Sequence, residues 1–234
     1  MLQLKHIVLA VPFLVAACTS GSGPSLSFAP GLSKGSAPKS IAVAKGAIVV
    51  AGPQDYCVDK RGSRLGGGTA FVLLASCANL SRDATEFHPT NHALLTASVE
   101  KQNGESPAAA DLLTLVNSTA GRAALARDGR AESVSVVTAV QDGDSVLMQI
   151  NDQSDGAAPG LESTYWRGLF TLNGRLITTT VVGFKARPLP SDNGLAMLKA
   201  FEQRIRSASP KIDVSELSTP PKSSRNNLFR NLLR

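Results

Sequence analysis

The chain has 234 residues, of which 43% are hydrophobic and 18% are charged, and its formal net charge is +6. This length suits one domain with a sizeable core, or one domain with tails. The chain contains eight Phe, two Tyr and one Trp, too few to favour a surface on which bases or sugars stack.

The N-terminus predicts a secretory signal peptide over residues 1–17. Lys5 and the free amine supply positive charge, and the apolar segment 7–15 follows, interrupted only by Pro12. An alternative is a permanent membrane helix. The segment is too short for that, because about 20 apolar residues are needed to span a bilayer.

The segment Val15-Ala16-Ala17-Cys18 resembles the lipobox of bacterial lipoproteins, and the whole chain resembles lipoproteins of Gram-negative bacteria. The resemblance implies cleavage before Cys18, lipid on its sulfur and further acylation, so that the protein is held by lipid on the periplasmic side of the envelope. Thr19 after the cysteine favours the outer membrane by analogy. The alternative is an ordinary signal peptide cut near Ala17, which leaves a soluble periplasmic protein.

The sequence after the cysteine predicts a tether, and two later cysteines predict a disulfide. Residues 18–40 are rich in Gly, Ser and Pro, which is typical of a flexible linker. Cys57 and Cys77 form an even pair, which in an exported protein favours a disulfide over two buried free thiols. Two cysteines without a nearby histidine supply too few ligands for a zinc site, so no metal or cofactor is expected.

The globular domain is predicted to cover residues 41–209, and its first half is rich in strands. Gly52-Pro53 interrupts the pattern, the segment 61–68 reads as a Gly-rich basic loop, and 81–92 reads as a polar loop. The predicted strands of this half are 41–50, 56–58, 69–76 and 92–100.

The second half predicts two helical segments, two hairpins and a closing helix. Ser106-Pro107 opens the first helix, with Ser106 as its N-cap, and 119–127 continues the helical pattern up to Gly129. The predicted strands are 132–140, 145–151, 165–172 and 175–184. Asn173-Gly174 is the strongest hairpin signal among them. Ser191 or Asp192 then caps a helix that runs to Ser207. The predicted buried positions of the two helices are Leu112, Leu113, Leu115, Val116, Leu195, Leu198, Phe201 and Ile205.

This order predicts an α+β domain in which helices flank an antiparallel sheet meander. From Ser106 to Ser207 it resembles the Mog1/PsbP-like fold, through Trp166-Arg167-Gly168, Asn173-Gly174-Arg175-Leu176 and the helix after Pro190. Members of that fold are mostly accessory, binding or assembly proteins without catalysis. The resemblance therefore implies a non-catalytic accessory or binding protein of the cell envelope.

Two groups of residues offer an alternative, an envelope hydrolase. His88 and His92 lie with Glu86 in the only histidine cluster, which a metal or a catalytic triad could use, although Pro89 disfavours helical spacing. Asp55 and Asp59 flank Cys57 and would suit a paired-carboxylate site. The ordinary interpretation of both groups is a solvated surface.

Three further features suggest binding, each with an ordinary alternative. Trp166, Arg167 and Arg175 could form a recognition face on the sheet, or Trp166 could be core. The loop 61–68 could cradle an anion, or be merely flexible. The segment 151–162 has the spacing of an EF-hand loop, but strands flank it.

The tail over residues 210–234 is basic and contains Pro220-Pro221. Its last residues space Leu228, Phe229, Leu232 and Leu233 on one helical face, which suits an anionic membrane or a partner groove, although a disordered tail is the alternative. In this compartment we expect a membrane contact through Cys18 and an envelope protein partner, and we do not expect nucleic acid.

Overall fold

The computed structural model describes residues 37–66, 69–81, 83, 85–101, 107–154 and 159–212. The predicted signal peptide, Cys18, the tether up to residue 36 and the tail from residue 213 lie outside these ranges. So does Ser106, the predicted N-cap of the first helix.

The described residues form nine strands and four α-helices, together with short 3-10 turns at Ala44–Gly46 and Ala131–Ser133. In chain order the elements are β1 (Ser40–Val43), β2 (Ile48–Ala51), β3 (Tyr56–Arg64), β4 (Ala70–Ser76), α1 (Cys77–Ser81), β5 (Ala93–Val99), α2 (Ala109–Asn117), α3 (Thr119–Leu125), β6 (Val134–Asp142), β7 (Ser145–Asp152), β8 (Leu161–Leu172), β9 (Arg175–Phe184) and α4 (Ser191–Ala208).

A seven-stranded sheet with the order β3-β4-β5-β9-β8-β7-β6 organises the domain, and β1 and β2 form a separate two-stranded sheet. Every strand pair is antiparallel. The sheet joins two meanders, β3 to β5 and β6 to β9, through the long pairing of β5 with β9. The predicted α+β domain with an antiparallel sheet and flanking helices is therefore confirmed.

The main core lies between one face of the sheet and the layer formed by α4 and the β1–β2 hairpin. Leu198, Phe201 and Ile205 of α4 are fully buried against this face, as the predicted helical spacing requires. Burial of each such side chain contributes about 1.5–3 kcal/mol. Phe170 and Ile177 supply the facing surface of the sheet.

A smaller core lies on the opposite face, where α2 and α3 pack over β6, β7 and β8. Leu112 and Val116 are buried there, as predicted, and Leu113 is half-buried. Leu115 is 50% exposed, so its predicted burial is wrong. Leu115 lies three residues after Leu112. The short helix α2 contacts the sheet instead through Leu112 and Val116, which lie four residues apart on one face.

The first predicted strand is in fact a hairpin. Ala44 and Lys45 take φ values of 53° and 58°, so the chain reverses between β1 and β2 instead of continuing. The sequence does not reveal this turn, because apolar residues alternate in both strands and because Ala44 and Lys45, which have no preference for a left-handed backbone, occupy the turn. The predicted loop at 61–68 also begins later than expected, since Arg61 to Arg64 extend β3 past a bulge.

The helices also begin at residues other than the predicted ones. Pro190, and not Ser191 or Asp192, is the N-cap of α4, and Ala108 is the N-cap of α2. Helix α1 was not predicted, and it lies between the predicted strand 69–76 and the predicted polar loop 81–92, which it meets at Ser81. The predicted Asn-Gly turn is present between β8 and β9, where Asn173 and Gly174 have φ values of 51° and 70°.

Candidate functional site

The predicted disulfide between Cys57 and Cys77 is present, with an S–S distance of 2.05 Å across 20 residues of sequence. It joins the start of β3 to the start of α1. The backbone N–H of Cys77 also donates to the carbonyl of Asp55 at 2.8 Å. The bridge therefore fixes the turn that precedes β3 against the end of β4.

The histidines of the predicted cluster lie on an exposed stretch before β5. His88 is exposed, and Nε2 of the half-buried His92 contacts the guanidinium of Arg187. Loss of solvation, followed by the charges of Arg187 and His88, lowers the pKa of His92. Within the described ranges, no three His, Cys, Asp or Glu side chains come together to hold a metal ion.

The carboxylates of Asp55 and Asp59 have different surroundings. Asp55 lies in the turn before β3, where its φ is 65°, and lines a cavity near the disulfide, whereas Asp59 lies within β3. Asp59 Oδ1 accepts the backbone N–H groups of Arg61 and Gly62 at 2.9 and 3.2 Å, so it stabilises the bulge in β3.

The predicted EF-hand spacing also has a structural explanation. Asp152 belongs to β7 and is 1% exposed, and its Oδ1 accepts the backbone N–H of Ser154 at 2.9 Å. Glu162 belongs to β8, and its Oε2 accepts the backbone N–H of Leu189 at 3.1 Å. Both carboxylates are thus engaged by protein backbone, on strands and not on a calcium-binding loop.

The structure places Trp166, Arg167 and Arg175, the residues of the predicted recognition face, in three different surroundings. Trp166 is 7% exposed, and its indole N–H donates to the carbonyl of Ser191 under α4 at 3.0 Å. Arg167 is the next residue of β8 and therefore points to the opposite face, where its guanidinium lies 5.2 Å from the ring of Tyr165. Arg175 lies at the end of the sheet, beside Asn173-Gly174.

Arg175 belongs instead to a basic pocket at that end of the sheet, with a volume of about 480 Å³. Among the described residues, its lining contains three cationic side chains and no carboxylate. The lining residues are Ala44, Lys45, Leu65, Thr69, Ala70, Val99, Lys101 and Arg175. This pocket, called the basic pocket below, is the candidate binding site.

Four elements bring the basic pocket together. Lys45 comes from the turn of the β1–β2 hairpin, Thr69 precedes β4, Lys101 follows β5, and Arg175 begins β9. Nη1 of Arg175 donates to the carbonyl of Glu100 at 3.0 Å, which holds the guanidinium beside Lys101. The antiparallel pairing of β4, β5 and β9 places the start of β4, the end of β5 and the start of β9 at the same end of the sheet. The positive charges of Lys101 and Arg175 therefore lie near each other.

The hairpin turn that carries Lys45 is held by the β8–β9 turn. The amide nitrogen of Asn173 donates to the carbonyl of Ala47 at 2.7 Å and to that of Pro210 at 2.9 Å. Asn173 therefore ties three chain segments together beside the basic pocket, and the position of Lys45 depends on it.

A second cavity, of about 470 Å³, lies near the disulfide and has mixed charge. Lys39 and Arg204 line it together with Asp55 and Glu86. Tyr56 also lines it, and burial raises the pKa of Tyr56 to about 12. Because its cations face carboxylates, this cavity lacks the excess positive charge of the basic pocket.

A buried polar network lies under α4. Glu202 is 5% exposed, its Oε2 accepts the hydroxyl of Ser145 at 2.8 Å, and its Oε1 accepts that of Thr179 at 3.2 Å. Arg206 also donates to Ser145, at 3.0 Å. Burial raises the pKa of Glu202 despite these contacts. Hydroxyl groups satisfy the carboxylate on the core side, so the network holds α4 in place on the sheet.

Sequence reasoning found only part of the basic pocket. It singled out Arg175, and it named an anion cradle as one interpretation of the loop 61–68, which contains Leu65, beside that of a flexible loop. Lys45 and Lys101 are isolated lysines in the sequence. The pairing of β5 with β9 brings Lys101 to Arg175, and the hydrogen bond from Asn173 to Ala47 holds the hairpin of Lys45 there. Comparison of the chain with protein-family models, with curated proteins and with solved structures gives no match. No helix in the described part of the chain is both long and apolar enough to cross a membrane.

Proposed function

We propose that this protein is a non-catalytic accessory protein of the cell envelope, held by lipid on Cys18 at the periplasmic side, which binds an anionic ligand in the basic pocket. The observation that carries the proposal is the convergence of Lys45, Lys101 and Arg175 on one concavity with no carboxylate among its described lining residues. Pockets of about 300–1,000 Å³ are the size of small-molecule sites.

The charge arrangement supports an anion in particular. Like charges held close together destabilise a fold, and an anionic ligand relieves that repulsion. A guanidinium also offers a planar set of N–H donors that matches carboxylate and phosphate oxygens. The chain as a whole is basic, with 24 Lys and Arg against 18 Asp and Glu, so the surrounding field adds to the attraction.

The disulfide supports the location. Disulfides persist in oxidising compartments such as the periplasm and are rare in the cytosol. The bridge between Cys57 and Cys77 therefore agrees with export, and the lipobox resemblance of Val15-Ala16-Ala17-Cys18 supplies the anchor. An envelope partner protein would then be reached by a domain on a tether of residues 18–40.

Isothermal titration calorimetry of the full chain with inorganic pyrophosphate tests the binding function. We expect saturable binding that weakens as salt is added, because the contacts are charge–charge contacts. The variant Lys45→Gln/Lys101→Gln should lower the affinity about tenfold or more.

The matched control is Lys60→Gln/Lys185→Gln, which removes the same charge from exposed positions outside the basic pocket. We expect its affinity to stay within about twofold of the wild type. Equal losses in the two double variants would mean that pyrophosphate responds only to net charge, and the basic pocket would then not be the site.

A further inference from the structure

We propose that the ligand of the basic pocket is a phosphate ester that carries an apolar group, with the phosphate on the cations and the apolar group against Leu65. This inference rests on the proposed function and specifies the ligand of the same site. It depends on the division of the lining into a charged part and an apolar part.

The apolar part of the lining consists of Ala44, Leu65, Ala70 and Val99. Ala70 and Val99 are 8% and 1% exposed, whereas Leu65 is 52% exposed and is the most accessible of the four. An exposed leucine alone is ordinary. Here it lines a concavity with other apolar residues, so an apolar ligand group would cover it and would bury surface on both sides.

The charged part suits a multiply charged group. A phosphate monoester carries about −1.5 to −2 charges at neutral pH and offers three acceptor oxygens, which matches three cationic side chains better than a single carboxylate does. One N–H of Arg175 is used by the carbonyl of Glu100. A guanidinium carries five such donors, so donors remain for phosphate oxygens, and the Thr69 hydroxyl lies in the same lining.

A bare phosphate would fill only part of the basic pocket. A water molecule occupies about 30 Å³ in the liquid, and a phosphate ion has the volume of only a few waters, whereas the basic pocket measures about 480 Å³. The lining also includes Leu65 and Ala44, so a hydrocarbon substituent on the phosphate would find apolar residues to contact.

Calorimetry on the full chain with Cys18→Ala, which removes the predicted lipid acceptor, tests the inference with three probes: hexyl phosphate, inorganic phosphate and hexanol. We expect hexyl phosphate to bind at least tenfold more tightly than inorganic phosphate, and hexanol not to bind measurably. Lys45→Gln/Lys101→Gln should weaken hexyl phosphate at least tenfold. Leu65→Ser should weaken hexyl phosphate several-fold and leave inorganic phosphate unchanged.

The outcomes separate this inference from the proposed function. Equal affinities for hexyl phosphate and inorganic phosphate would overturn the apolar part and leave the anion site standing, and so would a Leu65→Ser variant that binds like the wild type. No binding of either phosphate would overturn both proposals. A short-chain diacyl phosphate as a fourth probe separates the sources: tighter binding than hexyl phosphate favours a lipid headgroup, and weaker binding favours a soluble phosphate ester.

Discussion

Glu202 places a carboxyl group between α4 and the sheet, and its protonation should affect stability. Burial raises the pKa of Glu202 and outweighs the opposing effects of Ser145 and Arg206. The folded protein therefore holds this proton more tightly than the unfolded chain does. The resulting stabilisation is complete below the ordinary pKa of 4.5 and is lost as the pH rises through the raised value.

We expect Glu202→Gln to remove this dependence. In urea denaturation at a series of pH values, the unfolding free energy of the wild type should fall relative to that of the variant as the pH rises above the ordinary glutamate pKa. Glu132→Gln, at an exposed carboxylate, is the control and should follow the wild type. Parallel curves for the wild type and Glu202→Gln would contradict the assignment of a raised pKa.

Gly168 makes room for the same carboxylate. A Cβ added at Gly168 would lie 1.8 Å from Oε1 of Glu202 and 2.8 Å from Oγ1 of Thr179. Gly168→Ala should therefore lower the unfolding free energy by about 1–3 kcal/mol, measured by denaturant titration. The control is Gly66→Ala, where an added Cβ would meet no heavy atom of the described residues within 4 Å.

The cause of the Gly168 effect can be isolated. In a Glu202→Ala background the obstructing oxygen is absent, so adding Gly168→Ala should cost clearly less than it does in the wild type. Additive losses would mean that the glycine is needed for a reason other than the approach of Glu202.

At the scale of elements, the β8–β9 turn connects the β1–β2 hairpin to the chain after α4. Asn173 makes both connecting hydrogen bonds and also occupies a left-handed position. Asn173→Gly keeps the backbone conformation and removes the side chain, so we expect a loss of about 1–2 kcal/mol in urea denaturation.

Asn173→Asp distinguishes the hydrogen bonds from the turn itself. Aspartate also tolerates a left-handed backbone, but it would set a carboxylate against the carbonyls of Ala47 and Pro210. The order of stability should therefore be wild type, Asn173→Gly and Asn173→Asp. An aspartate variant as stable as the wild type would show that these bonds contribute nothing.

The elements also show what sequence patterns can and cannot predict. Strands β4, β5 and β9, the Asn173-Gly174 turn and the buried side of α4 follow from local periodicity, because each side chain's position repeats with the period of its own element. The β1–β2 turn does not, since Ala44 and Lys45 carry no left-handed preference. Tertiary packing against α4 imposes that turn.

The basic pocket was predictable only in fragments for the same reason. Arg175 stood out by its place next to a hairpin, but Lys101 meets it only through the pairing of β5 with β9, and Lys45 only because Asn173 binds the β1–β2 hairpin beside Arg175. The pairing order of strands distant in sequence is not encoded in any single segment. Trp166 and Arg175 lie on neighbouring strands, but Trp166 pairs with Val181 and Arg175 with Leu172, so they are far apart along the β8–β9 hairpin.

At the scale of the whole molecule, the proposed function depends on a lipid anchor at Cys18. Expressed with its own N-terminus in a Gram-negative host, the protein should fractionate with membranes, and mass spectrometry should find the mature chain beginning at an acylated Cys18. Cys18→Ser should abolish the lipid mass and the membrane association. A membrane-free wild type that retains Met1 would contradict the anchor and leave the basic pocket untouched.

The most direct test of the central claim, that the basic pocket binds an anion, is a crystal of the full chain soaked with tungstate, whose metal is located by anomalous diffraction. We expect a tungsten peak in the basic pocket, at a position where tungstate oxygens lie within about 4 Å of the side-chain nitrogens of Lys45, Lys101 and Arg175, and no such peak in crystals of Lys45→Gln/Lys101→Gln. A peak beside Lys39 and Arg204 in the second cavity, with none at the basic pocket, would contradict it.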